Sequence, residues 1–238
     1  MRILFKVTLY LLSVVVGVIF LILFESVNPE QTKPRFDPIH FPDTLNIKKY
    51  DFDSLKGLLG SHHILASGYE IQSAIALSAY PELKDLNIEF VIQDYGAPME
   101  SSLESSSLFG PRSDRKYQIL LHDGEDDFFD PILLRNLPFD AQVGILAHEL
   151  GHTVYYHNLN VLELAKWGLC YEWDNKFRAA HEQTTDLMPV YHGLGGQIYQ
   201  YAYFVRKNPS CSAFYEQDKW FMDTFYMSDE ELKEYLSN

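Results

Sequence analysis

Residues 138–156 read Pro138-Phe-Asp-Ala-Gln-Val-Gly-Ile-Leu-Ala-His148-Glu149-Leu150-Gly151-His152-Thr-Val-Tyr-Tyr156, and the architecture of the chain turns on this stretch. Pro138-Phe139-Asp140 is a helix start signal with Asp140 as the expected N-cap. No proline interrupts the run from Ala141 to Tyr156. Val143, Leu146, Ala147, Leu150 and Val154 recur at three- and four-residue spacing, a stripe that faces a core. Gly151 in mid-helix costs about 1 kcal/mol against alanine, so something is expected to pack close to it. Two histidines four apart stand one turn above the other, and both imidazoles can reach a single metal ion. Glu149 points about 100° around the helix from His148, toward the place of a water to be activated.

A metal held for catalysis needs a third protein ligand, and the downstream candidates are few. His181-Glu182-Gln183-Thr184-Thr185-Asp186 falls in a second expected helix, from near Asp174 to about Met188. Glu182 and Asp186, four apart, share one face, whereas His181 lies about 100° off it. From the residues alone, His181 and Glu182 both stay open as the third ligand, and a capped or solvated helix without metal is the plain alternative. The metzincin pattern H-x-x-G-x-x-H does not apply, because residues 152–158 read His-Thr-Val-Tyr-Tyr-His-Asn.

H-E-x-x-H followed by E-x-x-x-D on a later helix resembles the gluzincin group of zinc metallopeptidases, thermolysin-like in the site. The resemblance implies zinc as cofactor, His148, His152 and Glu182 as its ligands, and Asp186 as acceptor of a histidine ring N–H, that of His148. It implies Glu149 as general base toward water activated by zinc, in hydrolysis of peptide bonds of extracytoplasmic proteins or peptides. A further donor must meet the developing oxyanion. Tyr191 and His192, just beyond the second helix and before Gly193-Leu-Gly-Gly196, are the candidates, ahead of Tyr155 and Tyr156. The element order also resembles the cores of membrane-bound peptidases of the CAAX-prenyl-protease and heat-shock protease X kind, over residues 115–190. In such cores the strand before the zinc helix binds an extended peptide by strand addition, here Lys116–His122. The rival functional reading is a non-catalytic, zinc-containing, membrane-tethered module that binds peptides. A third is a structural domain without metal.

The first 24 residues differ from all that follow. Arg2 and Lys6 precede Val7 to Phe24, eighteen residues without a charge, at the threshold for spanning a bilayer. The run lacks a small-x-small cleavage site, so an uncleaved single-pass anchor is preferred to a signal peptide. Positive charges before the span and Glu25, Glu30 and Asp37 after it set the N-terminus in the cytoplasm and the body outside. Residues 25–50, with Pro29, Pro34, Pro38 and Pro42, read as an extended linker, and 51–238 as one peptidase-like domain.

The formal net charge is −14, and without Arg2 and Lys6 the body carries −16, which argues against nucleic acid and anionic lipid as partners. Asp123, Glu125, Asp126 and Asp127 lack EF-hand spacing and read as a solvated loop, with calcium as the minor alternative. Cys170 and Cys211 either form a disulfide or stay as buried thiols. The expected class is α+β: a small zincin-like domain whose short β-sheet packs on the zinc-site helix and the helices after it, preceded by one N-terminal transmembrane helix. Helices are expected at Asp53–Gly57, Ile64–Tyr80, Gly195–Lys207 and Asp229–Leu236. Strands are expected at Leu86–Gln93 and Lys116–His122, with a polar, serine-rich loop over Gly96–Arg115 between them.

Overall fold

The computed structural model describes residues 42, 44–46, 50–94, 96–125 and 128–237. The expected anchor and most of the linker lie outside them. No described helix is long and apolar enough to cross a membrane.

The described chain is α+β, with eight helices and one four-stranded sheet. The helices are α1 Phe52–Lys56, α2 Glu70–Ser78, α3 Phe139–Asn158, α4 Val161–Trp173, α5 Asn175–Tyr191, α6 Gly195–Lys207, α7 Ser212–Phe225 and α8 Asp229–Leu236. The strands are β1 His63–Ile64, β2 Asn87–Gln93, β3 Met99–Leu103 and β4 Lys116–His122, in the order β1-β2-β4-β3. β1, β2 and β4 run parallel, with Phe90 opposite Ile119. β3 turns back antiparallel to β4, with Ser101 opposite Ile119, and forms the outer edge.

α3 is the spine. Every residue from Ala141 to Tyr156 is buried, because sheet, α2, α5 and α6 cover it on all sides. Its two glycines permit that coverage. A Cβ on Gly144 would stand 2.3 Å from the Gln197 carbonyl oxygen of α6, and one on Gly151 would stand 3.0 Å from Met188 Cβ of α5. The packing expected at Gly151 is therefore the α3–α5 crossing. Tyr117, Ile119 and Leu121 of β4 alternate into the same core with Leu146 and Leu150.

Several expectations shift. Asp140 does not cap α3; Pro138 holds that place without a side-chain bond, and Asp140 Oδ1 accepts from the Leu45 amide (2.8 Å) and Gln197 Nε2 (3.1 Å). The helix expected from Ile64 to Tyr80 is shorter, because His63 and Ile64 pair with Ile88 and Glu89, and Gly68, at φ 85°, breaks the chain before α2. The serine-rich loop contains β3, whose backbone pairs with β4 and whose Ser101 hydroxyl meets that of Thr153 at 2.9 Å. β4 is flanked by β2 and β3, so it has no edge to offer a peptide. Cys170 and Cys211 are separate buried thiols, the latter directed at the Pro131 carbonyl.

Candidate metal centre

α3 and α5 cross where Gly151 lets them approach, and that crossing brings His148 and His152 face to face with Glu182. The facing atoms form a nearly equilateral triangle. His148 Nε2 to His152 Nε2 is 3.1 Å, His148 Nε2 to Glu182 Oε2 is 3.3 Å, and His152 Nε2 to Glu182 Oε2 is 3.4 Å. Among the described residues this is the one group of His, Cys, Asp and Glu side chains able to hold a metal ion. Glu182 Oε2 is buried and accepts no hydrogen bond. An orphan of that kind costs about 1–3 kcal/mol or more, which a cation at the centre of the triangle would recover.

Each donor is fixed from behind, as ligands to a metal are. His148 Nδ1 donates to Asp186 Oδ1 at 2.9 Å, and Asp186 Oδ2 accepts from the Met227 amide at 2.8 Å. His152 Nδ1 meets His181 Nε2 at 3.0 Å, so His181 stands behind a histidine rather than in the triangle. His181 is boxed by the rings of Tyr155, Trp167, Tyr171 and Phe177. Burial and the neighbouring His152 push its pKa down to about 3, so it stays a neutral acceptor. Tyr171 of α4 donates to Glu182 Oε1 at 2.5 Å and leaves Oε2 turned inward.

The charges are arranged accordingly. Burial alone would raise the Glu182 carboxyl, but the His152 and His148 imidazoles outweigh it and hold it well below the usual carboxylate range. Burial likewise opposes charge on His148, yet Asp186 and Glu182 raise it well above an ordinary histidine. Glu149 differs. Burial raises its carboxyl, the two histidines only partly offset this, and the Ser101 amide of β3 donates to it. It stands beside the triangle and outside it, with its proton affinity increased.

Beside the triangle opens a cleft of about 1090 Å³ whose lining includes His148, Glu149, His152 and Glu182. The β3 edge borders it from Met99 to Leu103. Tyr201 and Tyr226 line it too, and the Tyr226 ring lies 6.0 Å from that of His148. Neither hydroxyl has a hydrogen bond among the described residues. Tyr191 and His192 are not in this lining. His192 is wholly buried at the far end of α5, stacked on Tyr80 at 3.9 Å, with Nε2 on Glu82 at 2.8 Å and Nδ1 on the Met188 carbonyl at 2.7 Å. Helical phase explains the difference: Tyr191 and His192 follow Glu182 by nine and ten residues, two and a half turns or more, and leave its face. Tyr226 carried no local signal. It arrives because the Met227 amide is tied to Asp186.

Of the acidic residues singled out at 123–127, Asp123 is paired with Arg135, which donates to its Oδ1 at 2.8 Å, while Asp126 and Asp127 lie outside the described residues. No protein-family model matches the chain, and no curated protein or solved structure matches it either.

Proposed function

We propose that the chain is a zinc-dependent endopeptidase of the gluzincin kind, with His148, His152 and Glu182 as ligands and Glu149 as general base. One observation carries this reading: two imidazole nitrogens and a carboxylate oxygen converge, buried, with a fourth group, Glu149, kept beside them and outside the triangle. In a tetrahedron the ligand–ligand edge is about 1.6 times the metal–ligand distance, and zinc bonds of about 2.0–2.1 Å give edges of about 3.3–3.4 Å. Edges of 3.1–3.4 Å fit, and two imidazole nitrogens with one carboxylate oxygen are a donor set that would suit zinc. A zinc ion held there supplies a Lewis acid that polarises the scissile carbonyl and lowers the pKa of water toward about 7.

The chain's own residues do the rest. Glu149, its proton affinity raised by burial, takes the proton of the attacking water and passes it to the leaving amine. Asp186 and His181 hold the two imidazoles in the tautomer that turns Nε2 inward. Tyr226 and Tyr201, with uncommitted hydroxyls on the cleft wall, take over from Tyr191 and His192 as donors to the developing oxyanion. The sheet edge that borders the cleft is β3 rather than β4, so β3 takes an extended peptide by strand addition next to Glu149. Anchoring through residues 7–24, with the body extracytoplasmic, belongs to the same proposal.

The test is Glu149→Gln, which keeps the shape and the ligands and removes the base. Zinc content should stay at one ion per chain, while hydrolysis of an unfolded protein falls by at least about a hundredfold. Hydrolysis by the wild type should also cease with a chelator. Full zinc and no hydrolysis by the wild type would instead make the chain a zinc-containing peptide-binding module.

A further inference from the structure

α7 presents one face to the cleft: Phe214, Asp218, Phe221 and Met222, at the three- and four-residue spacing of neighbours on a helix surface. Three of the four are large and apolar. Phe221 begins this wall next to the metal centre, since its ring lies 6.0 Å from that of Tyr226, which lies 6.0 Å from that of His148. Phe214 continues it into Phe128, 5.2 Å away ring to ring. Asp218 sits in the middle, where the helix leaves its regular path at φ −107°, ψ 15°.

We propose that this wall is a subsite for a large apolar side chain flanked by lysine or arginine, with Asp218 as the carboxylate that receives the cation. The proposal rests on the cleft being a peptide site. Asp218 is half-exposed in the middle of this apolar stripe, so its carboxylate stays accessible to a cation docked along the wall. Asp218 makes no hydrogen bond or ion pair among the described residues, and burial raises its carboxyl above the usual value. The charge balance of the cleft points the same way. Its lining holds four carboxylates, Glu100, Glu149, Glu182 and Asp218, and neither lysine nor arginine among the described residues. A zinc ion in the triangle would offset Glu149 and Glu182, leaving Glu100 and Asp218 to repel anions and attract cations. A free C-terminal carboxylate finds no cationic clamp among these lining residues, which favours bonds inside a chain over the last one.

The experiment uses full-length, zinc-loaded protein and two labelled decapeptides, identical except for lysine or the uncharged norleucine beside a central phenylalanine. Binding is read by anisotropy in a Glu149→Gln background and hydrolysis in the wild type. The lysine peptide should bind and be cut about fivefold better. Asp218→Asn, which keeps the side chain's size at a half-exposed position, should bring that ratio to about one, and Asp218→Lys should invert it. Equal use of both peptides, or a lysine preference that survives Asp218→Asn, overturns the subsite. Hydrolysis of both peptides at equal rates removes the subsite and leaves the peptidase. A lysine preference in binding that Asp218→Asn abolishes, without hydrolysis by the wild type, keeps the subsite and removes the peptidase. Failure of the lysine peptide to bind removes the subsite.

Discussion

At the scale of single residues, the two histidines of one helix are held by chemically different partners. His148 leans on an anion, Asp186, and His152 on a neutral imidazole, His181. The first arrangement should matter more to metal affinity, because a charged acceptor makes the imidazole a stronger donor. Asp186→Asn tests this. The amide oxygen can still accept from His148, but its NH2 would then face the Met227 amide, donor against donor, where Oδ2 accepts now. Zinc affinity should fall about 10- to 100-fold, read by competition with a chromophoric chelator. An unchanged affinity would mean that Asp186 does not orient His148. The spacing of His148, Glu149 and His152 was legible because a helix turns a four-residue interval into a shared face. The choice between His181 and Glu182 was not, since adjacent residues differ only in which side of the helix meets α3.

At the scale of elements, α3 holds the site rigid by being enclosed. Its C-terminal end is closed by Arg115, whose Nη1 donates to the Leu159 carbonyl at 2.7 Å and the Tyr156 carbonyl at 3.3 Å. Gly144 sets how near α6 lies. Alanine there would gain about 1 kcal/mol in helix propensity, but its Cβ would stand 2.3 Å from a backbone oxygen, which cannot swing aside as a side chain can. The clash should win. Gly144→Ala is expected to destabilise by about 1–3 kcal/mol net, seen as a melting temperature several degrees lower. Gly151→Ala meets the side chains of Met188 and Thr185 and should cost less. Gly144→Ala melting at or above wild type would show that α6 is free to shift. Strand β4 and helices α6 and α8 match their sequence ranges, each with a strong period or cap, such as the Ser228–Glu231 capping box of α8. Helix α4 carried an equally good signal in Asn160 and Glu163. β3 carried none, because Met-Glu-Ser-Ser-Leu becomes a strand only through the partner that β4 provides.

At the scale of the whole molecule, the metal centre joins α3 to α5, and through Tyr171 and Met227 it also ties in α4 and the segment before α8. A ligand that binds only this folded arrangement stabilises all of it. With free zinc about a thousandfold above its Kd, the gain is about 4 kcal/mol. Chelation should therefore lower the melting temperature by roughly 8–16 °C for a domain of this size, and the shift should vanish in Glu182→Ala. A melting temperature indifferent to chelator would separate the fold from the metal. Read alone, the sequence determined what acts locally: a buried helix with two histidines and a glutamate in register, a second helix with an acidic pair, and an α+β order of elements. Tertiary structure alone decided which carboxylate closes the triangle, which strand edge borders the cleft, and which tyrosines line it. The physical reason is range. Helical phase and caps are settled within a few residues, whereas Glu182 meets His148, Met227 meets Asp186 and Ser101 meets Glu149 only because distant segments pack against one another.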